Sequence, residues 1–355
     1  MWYPLLRQLL FTLPEEQAHQ VALRMISLGA TLGLVKRLVA RPPTLPVKVM
    51  GLDFPNPLGL AAGMDKNAQH IHGLGDLGFG FVEVGTVTPR PQPGNPKPRL
   101  FRLPEAHALI NRMGFNNFGL NYLVRQVETA RYPGILGINI GKNKDTPVER
   151  ALDDYQVGLD RVYPLASYVV VNISSPNTQG LRTLQTAEYL RALLEPLKEQ
   201  QDKLATRHGR YVPLVVKIAP DLSNAEITDI AECLVACRMD GVAATNTTIT
   251  RPGLDNVKRS LEEGGLSGLP LKPLALDRQQ ALVRALRGRL PVIGLGGIMS
   301  ADDALERMQE GASLIQIYTG FIYEGPVLIQ QILQRLAHNT HLWRGSHSGA
   351  AGMRT

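Results

Sequence analysis

Cysteine is nearly absent, with two in 355 residues. Cys233 and Cys237 lie four apart in the apolar stretch IAECLVACRMDG, a spacing that puts both on one helix face. There each acts as a small hydrophobe. They supply neither a disulfide framework nor a metal-ligand set, and a reducing compartment is expected. The eight histidines are dispersed without ligand spacing, so no metal is expected. Aromatics make up 6% of the chain, and no run of lysine and arginine is interleaved with them. That argues against a nucleic-acid partner. Long apolar runs are missing too. The longest uncharged stretch near the amino end, Met25–Val35, falls short of the ~20 residues that span a bilayer. The opening MWYPLLRQLLFTLPEE has no basic start and no small-residue cleavage site, so no signal peptide is expected.

What the chain does have is glycine (34), proline (25) and a net charge of +7 spread over its length. The charge suits an anionic ligand or an anionic lipid surface. From Leu58 onward, eight apolar runs end in glycine or a polar residue: 58–63, 80–86, 135–141, 168–174, 213–219, 241–246, 291–297 and 314–320. Most lack polar alternation, as parallel strands buried on both faces do. Amphipathic stretches such as NAEITDIAECLVACRMD lie between most of them. Eightfold strand–helix alternation predicts an α/β fold, a (β/α)₈ TIM barrel, with a doubly wound open sheet as the competing topology. Two long segments, 87–110 and 247–272, break the rhythm after the second and sixth runs. Such loops at the carboxyl ends of barrel strands usually build the active site.

Residues 1–41 read as an amino-terminal two-helix extension. Leu5, Leu6, Leu9 and Leu10, then Val21, Met25, Leu28 and Leu32, recur at helical spacing. Arg7, Arg24, Lys36, Arg37 and Arg41 outnumber Glu15 and Glu16. The pair could cap the barrel's bottom, or lie on a membrane with its apolar face in lipid, where Trp2 and Tyr3 also fit. The expected division is helical extension 1–41, barrel 42–340 and a disordered tail 341–355.

Functional groups of a barrel sit where its strands end. Those ends supply Lys66, Thr86, Asn139, Asn172, Ser175, Asn177, Lys217, Thr245, Asn246, Thr247, Tyr318 and Thr319, with Asn111 from the first insertion. GLGGI followed by Ser300 offers backbone N–H groups and a capped helix start, a phosphate site in the place where barrels commonly put one. The asparagines each present an acceptor and two donors, which suits a ring of alternating N–H and C=O groups. Lys66 adds a charge for a carboxylate. Lys217 fits either a Schiff base or the N1–C2 edge of a flavin. Ser175 has no histidine or aspartate beside it, so a hydrolase triad is poorly supported.

Taken in order, LGLAAGMDKN, VEVGTVTPRPQPGNPKPRLFRLPE, INRMGFNN, NISSPNT, VKIAPDL, TNTT, GGLSG, GLGGI and IQIYTGF closely resemble the dihydroorotate dehydrogenases, specifically the membrane-associated, quinone-reducing class of bacterial type. The resemblance runs from the amino terminus to about residue 335. It implies oxidation of dihydroorotate to orotate in pyrimidine biosynthesis, one FMN per chain and a quinone as electron acceptor. Substrate residues would be Lys66, Asn111, Arg112, Met113, Gly114, Phe115, Asn172, Asn177, Asn246 and Thr247. FMN would be held by Ala61, Ala62, Gly63, Lys66, Thr86, Asn139, Asn172, Lys217, Thr245, Gly268, Gly297, Tyr318 and Thr319. Ser175 would be the catalytic base, where the family's soluble class has cysteine. Thr178 and a water near Phe115 would relay its proton. His19, Arg102 and Tyr318 would line a tunnel for the quinone. The likeness further implies a peripheral enzyme on the cytoplasmic face of the inner membrane, with no obligate protein partner.

Overall fold

The computed structural model describes residues 3–38, 43–178 and 180–344. The chain enters through α1 (Tyr3–Phe11), α2 (Glu15–Thr31) and α3 (Val35–Leu38). Trp2, Arg41 and residues 345–355 lie outside the described residues. Next comes an antiparallel hairpin, β1 (Val47–Val49) and β2 (Leu52–Phe54). It turns at Met50-Gly51, both with positive φ, the turn geometry that matches strand twist.

The eight apolar runs are the eight parallel strands of a closed barrel. In chain order, β3 (Leu58–Leu60) and β4 (Phe81–Val87) are barrel strands, whereas β5 (Leu100–Leu103) and β6 (Ala108–Asn111) lie in the first insertion. The barrel continues with β7 (Ile135–Ile140), β8 (Tyr168–Asn172), β9 (Leu214–Ile218) and β10 (Gly241–Ala244). After β11 (Gly265–Gly268), in the second insertion, β12 (Val292–Leu295) and β13 (Leu314–Ile317) complete it, and β13 pairs back onto β3. Barrel strands are buried on both faces because helices cover the outside and side chains fill the inside. The open-sheet alternative is thereby excluded.

The barrel strands mostly stop short of the apolar runs that predicted them. The residues beyond, such as Ala61–Gly63 and Gly296–Gly297, have left the ladder to face the mouth. The two insertions also carry more order than loops. β5, β6 and β11 form a three-stranded antiparallel sheet in the order β11-β6-β5, over a small apolar cluster that includes Phe101, Ile110 and Leu266. Proline-rich flanks hide these short strands from a periodicity argument.

The barrel's lower end is closed by the hairpin. Val49 and Phe54 join Phe81, Tyr168, Val215 and Leu314 in an interior cluster, with Phe54 edge-on to Phe81 at 5.2 Å. The amino-terminal helices therefore do not cap the bottom. They lie at the opposite end. Tyr3 donates to Ile322 O (2.6 Å), Arg7 donates to Tyr323 O (2.6 Å), and Phe11 meets the Tyr323 ring at 5.6 Å. On the far side of the helices Leu5 and Leu9 are 70% and 67% exposed, and Leu28 and Leu32 62% and 61%. No helix among the described residues is long and apolar enough to cross a membrane.

The carboxyl end corrects an expectation. Residues 341–344 do not belong to a disordered tail: Thr340–Trp343 is helical, Trp343 is buried, and its indole donates to Leu336 O. A tryptophan with a satisfied N–H anchors the segment.

Candidate active site

A cavity of about 590 Å³ opens at the carboxyl ends of the barrel strands. Its floor comes from the barrel, one wall from β6 and β11, and its roof from α2, which contributes Glu16, His19 and Leu23 at helical spacing. Nearly every residue singled out in the sequence reaches it: Ala61, Ala62, Gly63, Lys66, Thr86, Asn111, Met113, Gly114, Phe115, Asn172, Ser175, Asn177, Lys217, Thr245, Asn246, Thr247, Gly268, Gly297, Tyr318, Thr319 and His19.

Lys66 donates to Gly63 O (3.1 Å), and burial pushes its pKa from 10.5 to about 8, opposed by the Glu16 charge. Lys217 is buried at the end of β9, and burial pulls it below the ordinary lysine range against the pull of Glu83. The asparagines are tied to one another. Asn177 Nδ2 donates to Asn111 Oδ1 (3.3 Å), and Asn246 Nδ2 donates to Ser174 Oγ (2.9 Å). Ser174 Oγ donates in turn to Asn172 Oδ1 (3.0 Å). Ser175 is buried, and its Oγ accepts from Asn177 N (3.3 Å).

The β12 end is built for close approach. Gly297 has φ +74°, and a Cβ there would sit 2.3 Å from Lys272 Cα, so no side chain fits. The helix Ala301–Gln309 follows, capped as expected by Ser300, whose Oγ accepts from Asp303 N (3.1 Å) while Asp303 Oδ2 accepts from Ser300 N (2.9 Å). Asp303 Oδ2 also accepts from Met299 N (2.9 Å), so the helix's own carboxylate takes the N–H groups at this start. Gly63, with φ +102°, brings backbone to the opposite rim, where Tyr318 stands 3.3 Å from a notional Cβ.

Four predicted residues lie off the cavity wall. Asn139 is one layer below it, donating to Glu83 and accepting from Thr86 Oγ1 (2.5 Å). Arg112 turns outward, stacked over the Phe101 ring at 4.5 Å and paired with Glu262 at 2.8 Å. Its backbone N–H is spent on Arg99 O. Arg102 is a fastener: it donates to Leu10 O and Leu13 O and covers the Phe11 ring at 4.6 Å, fixing the turn between α1 and α2. Thr178 is buried, and its carbonyl accepts from Leu181 N. His19 faces the cavity with its pKa pushed down to about 3, by desolvation first and the Lys66 charge second. It is neutral. Burial raises Tyr318 to about 12, so its hydroxyl keeps its proton.

Four participants escaped the sequence. Glu83 and Gln316 sit buried inside the barrel, within runs that were read only as apolar. Arg99 and Glu16 form a two-point ion pair (2.9 and 3.2 Å) that pins α2 to the cavity rim. No local pattern marks such a pair, since its members are 83 residues apart.

Residues 44–340 match the model of the dihydroorotate dehydrogenase family. A dihydroorotate dehydrogenase (quinone) of Azotobacter vinelandii is 57% identical over 335 residues, covering 94% of this chain and 96% of that protein. One from Pseudomonas fluorescens (strain SBW25) is 56% identical over 335 residues, covering 94% and 98%. Among solved structures, a crystal structure of DHODH from Eimeria tenella in complex with ferulenol superposes with a TM-score of 0.84 at 38% identity, covering 95% of this chain and 96% of that one. With the family model matched over residues 44–340 and identity above half over 94% of its length, this chain belongs to the dihydroorotate dehydrogenase family.

Proposed function

We propose that this protein oxidises dihydroorotate to orotate in pyrimidine biosynthesis, with FMN as hydride acceptor and a membrane quinone as final oxidant. The observation that carries the reading is the convergence on one cavity of Lys66, Ser175, Lys217 and the asparagines Asn111, Asn172, Asn177 and Asn246.

The residues present fit FMN. Thr245 Oγ1 is a buried wall atom with no hydrogen-bond partner among the described residues, and Gly296 and Gly297, both with positive φ, bring bare backbone to the cavity wall where a phosphate would lie. Ala61, Ala62, Gly63, Thr86, Lys217, Gly268, Tyr318 and Thr319 would hold the group from the wall, and Asn139 from beneath it. When bound, the flavin supplies a hydride acceptor. Lys217 gives a positive charge where the reduced ring gathers negative charge.

The substrate side follows from donor and acceptor types. Lys66 offers its ammonium to a carboxylate, while the four asparagines meet the ring's N–H and C=O groups. Met113, Gly114, Phe115 and Thr247 close around it. Ser175 takes the C5 proton as the C6 hydride leaves. A serine hydroxyl is a weak base, so its own proton needs an exit, for which Thr178 and a water beside Phe115 are the candidates.

The quinone would arrive under α1 and α2 from a lipid surface touched by Leu5, Leu9, Leu28 and Leu32. His19 and Tyr318 face its path, and Arg102 holds the helix turn that shapes it. Attachment to the cytoplasmic face of the inner membrane, without a partner protein, completes the reading.

An anaerobic visible spectrum tests both half-reactions. Bleaching of a flavin band by dihydroorotate, and its return on adding quinone, is the expected result. A colourless protein that takes up no FMN, or a flavin that dihydroorotate never reduces, rejects the reading.

A further inference from the structure

Glu83 stands on β4 in the interior of the barrel, fully buried. A carboxylate there is costly unless its lone pairs are filled. Three neutral donors fill them: Asn139 Nδ2 at 2.8 Å, Gln316 Nε2 at 2.6 Å and Tyr168 OH at 3.2 Å. Gln316 gives its N–H to Glu83 even though its own Oε1 is left without a partner among the described residues. With three donors around it, this carboxylate accepts at every contact. It therefore dictates which end of each neighbouring amide points toward it.

The consequence travels upward. Because Asn139 Nδ2 is committed to Glu83, its Oδ1 faces the mouth, where it accepts from Thr86 Oγ1 (2.5 Å) and Asn172 Nδ2 (3.3 Å). Asn172 Nδ2 also donates to Thr86 Oγ1 (2.9 Å), so Asn172 Oδ1 is turned to accept from Ser174 Oγ (3.0 Å). With that proton spent, Ser174 Oγ accepts from Asn246 Nδ2 (2.9 Å). Asn246 Oδ1 then accepts from Thr247 N (2.8 Å). Each link leaves one orientation for the next. An inverted Asn139 would set its N–H₂ against that of Asn172 and force the Thr86 hydroxyl from donor to acceptor. Lys217, at the cavity wall, lies close enough for the Glu83 carboxylate to favour its charge.

We propose that Glu83 is a positioning residue: as the accepting root of this chain, it fixes from inside the barrel the orientation of Asn172 and, through it, the donor and acceptor ends that Asn246 presents to the substrate ring. The inference rests on the dihydroorotate reading given above. Glutamine in its place keeps the shape, but one of its two ends donates. Wherever that end points, a neighbouring amide must turn, and the disorder propagates to Asn246.

The test is a titration of the purified, FMN-loaded protein with orotate, followed by the flavin absorption change. Glu83→Gln is expected to retain one flavin per chain, to bind orotate about tenfold more weakly and to raise the KM for dihydroorotate more than it lowers kcat. The reciprocal variant Glu83→Gln/Gln316→Glu returns one carboxylate to the cluster and is expected to bind orotate within about threefold of the unaltered protein. Unchanged orotate affinity in Glu83→Gln overturns the proposal, as does a reciprocal variant that shows no recovery. If the single variant does not fold, the reciprocal variant decides alone: normal affinity supports the inference, and failure to fold or bind rejects it. Failure of the unaltered protein to hold FMN or bind orotate would instead reject the underlying functional reading.

Discussion

Lys66 carries its charge where burial penalises it. Its pKa near 8 means that the ammonium persists below that pH and is lost as the pH rises through it. If it holds the substrate carboxylate, orotate affinity should be flat below about pH 8 and fall by up to about tenfold per unit above it. Lys66→Met should bind weakly at every pH and lose the step. A step that survives in Lys66→Met would assign it to another group. The same shift penalises folding while the lysine is charged, and relieves that penalty between about pH 8 and the ordinary value of 10.5, because the unfolded chain then holds more protons. Ser175 makes the second prediction at this scale. Ser175→Ala should keep its flavin yet slow flavin reduction by about two to four orders of magnitude, measured by anaerobic stopped flow. Near-normal reduction would remove Ser175 from the role of base. Both positions were legible in the sequence because each follows the end of an apolar run, Lys66 three residues after Gly63 and Ser175 just before Pro176. Glu83 was not, since a polar residue inside an apolar run looks like an interruption until its partners on three other strands are in place.

At the scale of elements, α2 has two faces with different tasks. Glu16, His19 and Leu23 look into the cavity, and Met25, Leu28 and Leu32 look outward. The periodicity of the outward set was readable. That the inward set roofs the site was not, because it depends on the Arg99–Glu16 pair and on the backbone contacts of Arg102. Breaking a largely buried pair strands a charge, so Arg99→Ala should cost about 3–5 kcal/mol in urea unfolding. A loss below about 1 kcal/mol would show that α2 is held by its apolar contacts alone. For the outer face, Leu5, Leu9, Leu28 and Leu32 changed together to serine should leave flavin reduction by dihydroorotate intact. Binding to anionic lipid vesicles should fall at least about a hundredfold in sedimentation. Unchanged vesicle binding would move the lipid contact elsewhere.

For the molecule as a whole, the barrel is closed below by the Phe54 hairpin and open above into one cavity. A ligand that fills that cavity binds only the folded state, so flavin removal should lower the thermal midpoint by several degrees. Saturating FMN at about a hundred times its Kd restores roughly 2.7 kcal/mol. A midpoint indifferent to FMN would mean that the flavin does not occupy the barrel mouth. The eight strands and their buried character were determined by the sequence alone, because a strand covered on both faces is largely apolar, and glycine or a polar residue must end it where the chain turns. The locations of Lys66, Ser175, Lys217, Asn172, Asn177 and Asn246 followed from that rule, and Asn111 came from the first insertion. Only the tertiary structure decided which end the amino-terminal helices cover, that the two insertions pair as one sheet, and that a carboxylate orders the amides beneath the mouth. Those features join residues scores of positions apart, and no local spacing records a hydrogen bond made across a barrel.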